Sequence, residues 1–99
     1  MSARQLPAAM LALCCSVASA HGAPDGVRLA ESCAPCHGGA GKGGDAIPRL
    51  AGRDEADLAE RMSELAAGDP QAAVMTRLMR AYDEAEIDAL ARYFSQVQP

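Results

Sequence analysis

Cys33-Ala34-Pro35-Cys36-His37 gathers two thiols and an imidazole within one turn of chain. Two cysteines separated by two residues and followed at once by histidine have the spacing of covalent c-type haem attachment. Each thiol adds its S–H across one vinyl group of a porphyrin, and the two vinyls lie on neighbouring edges of the ring. The short Ala34-Pro35 arc lets both sulfurs reach those edges and sets His37 under the iron as proximal axial ligand. Two other chemistries use paired cysteines. A thioredoxin-like redox disulfide belongs in a βαβ pattern, and none is visible here. Structural zinc wants four ligands, yet no second pair of Cys or His follows, and His21, the other histidine, stands at the expected start of the mature chain. The motif therefore predicts one haem c bound through Cys33 and Cys36.

Attachment of this kind needs an extracytoplasmic compartment, and the N-terminus fits. Residues 1–20 have the form of a secretory signal peptide: Arg4 in the positive region, an apolar run from Leu6 to Val17, and Ala18-Ser19-Ala20 as the cleavage site. The run is too short to span a bilayer, so no permanent membrane anchor is expected. Cys14 and Cys15 invite a lipoprotein reading, but bulky Leu13 before Cys14 opposes it. The expectation is a periplasmic domain over residues 21–99, in which the only cysteines are those of the haem motif. Losing Arg4 takes the formal charge from −4 to −5, a balance that disfavours nucleic acid and anionic membranes as partners.

The elements that must position the motif are helices. Alanine, leucine and methionine dominate, and β-branched residues are scarce. A first helix is expected from Asp25 or Gly26 into Cys33, where Leu29 and Cys33 share a face and Pro35 opposes continuation. The run Gly38 to Asp45 holds five glycines in eight residues but lacks P-loop spacing and a preceding strand, so its reading is steric: a chain passing close over a haem edge. A second helix is expected from Asp54 to Ala67 with Gly68 as its stop, and its apolar stripe is Leu58, Met62 and Leu65. Asp69-Pro70 is expected to open a short helix carrying Val74, Met75, Leu78 and Met79. Asp83 and Glu86 form the capping box of the last helix, whose stripe is Ile87, Leu90, Ala91, Phe94 and Val97. With 3% aromatic residues and no Trp, the core suits completion by a cofactor.

Two further groups bear on the iron. The carbonyl of Pro48, in Ile47-Pro48-Arg49-Leu50, is placed to accept a hydrogen bond from Nδ1 of His37, although Pro48 also reads as an ordinary turn residue. The distal ligand candidates are Met62, Met75 and Met79. Met62 fits an apolar core stripe, whereas Met75 and Met79 lie four apart and periodicity does not separate them.

The mature chain as a whole resembles a class I cytochrome c, in particular the monohaem cytochrome subunit of flavocytochrome c sulfide dehydrogenase. The resemblance rests on Cys-Ala-Pro-Cys-His-Gly at 33–38, Ile-Pro-Arg-Leu-Ala-Gly at 47–52, Val-Met-Thr-Arg-Leu-Met-Arg-Ala-Tyr at 74–82 and Glu-Ile-Asp-Ala-Leu-Ala-Arg-Tyr-Phe at 86–94. It implies a small all-α fold of about four short helices wrapped around one covalently attached haem. It places the axial methionine on Met75, with Met79 as the alternative, and the proline–histidine bond on Pro48 and His37. It brings Leu29 and Ala30 against Tyr93 or Phe94. The implied function is one-electron transfer by a His/Met-ligated haem, with electrons taken from a flavoprotein that oxidises sulfide. Both axial positions are then filled, so the chain is not expected to be an enzyme by itself, and the resemblance implies a place as a subunit of a sulfide dehydrogenase. A free-standing shuttle serving other redox proteins is the alternative. A five-coordinate haem sensor or peroxidase-like domain is the reading if no methionine reaches the iron.

Overall fold

The structure is a computed structural model that describes Ala3 and residues 22–99; the expected leader, Ala3 apart, and His21 lie outside the described residues. Five helices follow in order: α1 (Gly26–Ala30), α2 (Ala34–His37), α3 (Glu55–Ala67), α4 (Ala73–Met79) and α5 (Glu84–Gln96). Among the described residues the only extended pairing is an isolated bridge between Gly44 and Ile47.

The first of these helices is shorter than its sequence suggests. Asp25 caps α1, its carboxylate accepting from the Val27 N–H at 3.0 Å. The helix then breaks over residues 31–33, ahead of Pro35 rather than at it. Proline sits in the first turn of α2, where its missing N–H is no loss, so it starts a helical turn that it was expected to block. This one-turn helix is the element beyond the four expected.

The three later helices obey their end signals more closely. Asp54 caps α3 through the Asp57 N–H at 3.0 Å, and Gly68 ends it at φ 121°. Asp83 and Glu86 close the capping box of α5 with bonds of 2.8 and 3.0 Å. Only α4 departs, beginning at Ala73 and not at Asp69-Pro70. Asp69 is occupied elsewhere: its carboxylate accepts from the Gln71 N–H and from Arg61, each at 2.9 Å. Those donors, the backbone N–H first, hold the Asp69 carboxyl below the usual aspartate range.

Packing follows the apolar stripes. Leu58, Met62 and Leu65 of α3, Met79 of α4 and Ile87, Leu90, Ala91 and Phe94 of α5 form one buried cluster, closed by Ala30 and Leu50. Val97 falls beyond the end of α5 and is half-buried. The α5 helix packs against α1 and α3, and α3 against α4. Helices α1 and α5 approach closely at Gly26, where a Cβ would stand 2.6 Å from the Ala89 carbonyl oxygen. Leu90 lies at the centre of the cluster with no exposure. Leu90→Ala should therefore destabilise the folded protein by about 2–5 kcal/mol, measured by denaturant unfolding. A variant as stable as the parent would show that the helices are not held by this cluster.

Candidate functional site

The α2 turn presents the three groups of the motif. Cys33 is its N-cap and is half-buried, Cys36 is exposed, and His37 is buried in its last position. Both cysteines are free thiols. Burial pushes the Cys33 thiol up. Among the described residues no group of three metal-binding side chains gathers, as a structural zinc site would require.

His37 is fixed by one bond. Its Nδ1 lies 2.8 Å from the Pro48 carbonyl oxygen. A carbonyl only accepts, so Nδ1 carries the proton and, in the neutral ring, the lone pair is on Nε2. The ring is thus buried, oriented and left with one nitrogen able to ligate a metal.

Val27, Ile47, Val74 and Leu78 are the large apolar side chains left open among the described residues, 57%, 39%, 71% and 49% exposed. Val74 and Leu78 are one helical turn apart on α4. Met75, between them in sequence, is half-buried against the core cluster, whereas Met79 is only 3% exposed within it. Met62 is buried in α3 as its stripe implied.

Two free thiols, an imidazole with a free nitrogen and uncovered apolar side chains are the donor set and lining that a covalent haem requires. The residues present fit the group. Cys33 and Cys36 would hold the porphyrin by thioethers and His37 the iron.

The family model described as Cytochrome c matches residues 23–98. The chain belongs to the cytochrome c family. Its cofactor is therefore covalently attached haem c, the one-electron group of that family. Among curated proteins it is similar to the "Thiosulfate dehydrogenase electron acceptor" of Thiomonas intermedia (strain K12), with 40% identity over 72 residues. That match takes in 71% of this chain and 33% of the relative, so the chain spans about a third of the relative's length.

One tie of this cytochrome was not legible in its sequence. The Ser32 Oγ lies 2.9 Å from the Leu29 carbonyl oxygen and 2.6 Å from the Tyr82 hydroxyl. Leu29 can only accept, so Ser32 donates to it and Tyr82 donates to Ser32. The bond fastens the residue before Cys33 to the turn after α4. Neither residue belongs to a motif, and fifty positions separate them.

Proposed function

We propose that this cytochrome is a periplasmic one-electron carrier, its iron ligated by His37 and Met75, that accepts electrons from a dehydrogenase oxidising a reduced inorganic sulfur compound. The observation that carries the partner is the similarity to a protein described as the electron acceptor of a thiosulfate dehydrogenase. The resemblance of segments 47–52 and 74–82 to the cytochrome subunit of a sulfide-oxidising flavoprotein points to the same substrate class. The fixed tautomer of His37 and the half-burial of Met75 beside exposed Leu78 support the ligand pair. Haem in this setting supplies a one-electron couple, which His/Met ligation in an apolar pocket sets at a high potential. The secretory leader supports the compartment.

Charge distribution supports docking by the haem-bearing segments. Arg28, Lys42, Arg49, Arg53, Arg77 and Arg80 all lie on the segments around the motif or on and just after α4, where Asp25, Glu31, Asp45, Asp54 and Asp83 are the nearby carboxylates in sequence. Helices α3 and α5 are acidic, with Glu55, Asp57, Glu60 and Glu64 on α3 and Glu84, Glu86 and Asp88 on α5. The remaining cations of the mature chain, Arg61 and Arg92, pair with Asp69, Glu64 and Glu55. Such an asymmetry orients an approaching partner that presents carboxylates, and it does so less at high salt.

The test is stopped-flow mixing of the oxidised protein with thiosulfate dehydrogenase and thiosulfate, and separately with a sulfide-oxidising flavoprotein and sulfide. One enzyme should reduce the haem far faster than its sulfur compound alone, with a rate that falls as salt rises. Reduction no faster with either enzyme than without it would sink the partner. Absence of the mature chain from a periplasmic fraction would sink the location.

A further inference from the structure

The Gly-rich loop between the haem motif and Pro48 is stitched at several points. The Gly43 N–H donates to the His37 carbonyl at 2.7 Å. Gly44 and Ile47 exchange backbone bonds of 3.0 and 2.8 Å, and the Leu50 and Ala51 N–H groups both donate to the Gly41 carbonyl, at 2.8 and 3.0 Å. Gly43 is thus wedged between the backbone of the proximal histidine and the strip that carries its acceptor. Its φ is +68°, and a Cβ there would stand 2.6 Å from the Ile47 carbonyl oxygen, 2.7 Å from the Arg49 nitrogen and 2.8 Å from the Pro48 carbonyl carbon. All three are backbone atoms, which cannot swing aside as a side-chain tip can. The last of them bears the oxygen that accepts from His37.

We infer that Gly43 is a positioning residue for the proximal ligand, its bare Cα being the seat that lets the Pro48 carbonyl reach His37 Nδ1. This rests on His37 as the iron's ligand. A methyl group at position 43 forces the Pro48 peptide away, because ordinary carbon contacts are about 3.5–4.0 Å. The bond at 2.8 Å then lengthens or the imidazole turns to follow it. Hydrogen bonding to Nδ1–H raises the basicity of the ring as a ligand and favours the more highly charged metal. Loosening it should raise the reduction potential.

Gly43→Ala in the haem-loaded protein is expected to shift the potential upward. It should also speed solvent exchange of the His37 Nδ1 proton, seen by NMR of the ferrous protein, because that proton loses its acceptor. Gly44→Ala is the control: it is the next residue of the same loop, has open space around its Cβ position and no positive φ, and should change neither quantity. If Gly43→Ala does not fold, Gly43→Asn tolerates a left-handed φ while still adding a Cβ, and the same two shifts are expected. Parental potential and exchange in the Gly43 variant, or equal shifts in Gly44→Ala, would overturn the inference. Loss of the His37 ligand is distinguishable, since the parent itself would then lack a low-spin ferrous spectrum.

Discussion

Met75→Ala is expected to lower the reduction potential by tenths of a volt and to abolish the weak sulfur-to-iron band of the ferric protein, while Met79→Ala keeps both. Axial ligand identity moves haem potentials over roughly 0.8 V, so loss of a thioether is a large perturbation. The two methionines are four residues apart and share a helical face, which is why periodicity alone leaves them equivalent. Burial separates them. At about 100° per residue, Met75 lies about 40° round α4 from Met79 and about 60° from Leu78. Met79 is 3% exposed in the core cluster and Leu78 is 49% exposed, so Met75 stands at the border between protein interior and uncovered apolar surface. A ligand to a cofactor packed against that surface belongs at the border. Met79→Ala should instead cost about 2–5 kcal/mol of stability, as deletion of a buried side chain does. Survival of the band in the first variant and its loss in the second would exchange the roles.

What the sequence made legible, and what it did not, divides along a physical line. Helix ends set by local chemistry were readable: Asp54 and Gly68 bound α3, and Asp83 with Glu86 begins α5. The apolar stripes of those helices, Val97 apart, are the core stripes. Asp69-Pro70 had the form of a helix start, but Arg61, eight residues earlier, engages the carboxylate and α4 begins later. Pro35 has the form of a stop, whereas the break at 31–33 ahead of it has no residue signal of its own. At the site, Cys33, Cys36 and His37 were fixed by spacing alone, and the Pro48 acceptor lies where the resemblance implied, 2.8 Å from Nδ1. The seat that Gly43 provides was hidden, because five glycines look alike in sequence and only the fold shows which one meets backbone. Gly39 and Gly44 meet nothing within 4 Å.

Removing both thiols should unfold the chain. Wild-type protein denatured and extracted with acid–acetone should keep its haem and weigh one haem more than the polypeptide. Cys33→Ala/Cys36→Ala should lose the haem on extraction and show a cooperative loss of helical circular dichroism under conditions where the parent is folded. The expectation follows from size. A domain of this length buries a modest fraction of its surface, and its apolar core rarely supplies more than about 3–5 kcal/mol. Here α1 and α2 are five and four residues long, far too short to be stable as isolated helices. The segment from Gly38 to Arg53 has no helix at all among its described residues. Ile47, Val74 and Leu78 are left exposed by the protein, and a porphyrin packed against them would give them a partner. The single variant Cys36→Ala, which retains half-buried Cys33, should keep haem by one thioether and lose less helix than the double variant. A double variant that stays helical without haem would show that the buried cluster around Leu58, Leu90 and Phe94 is enough to hold the fold.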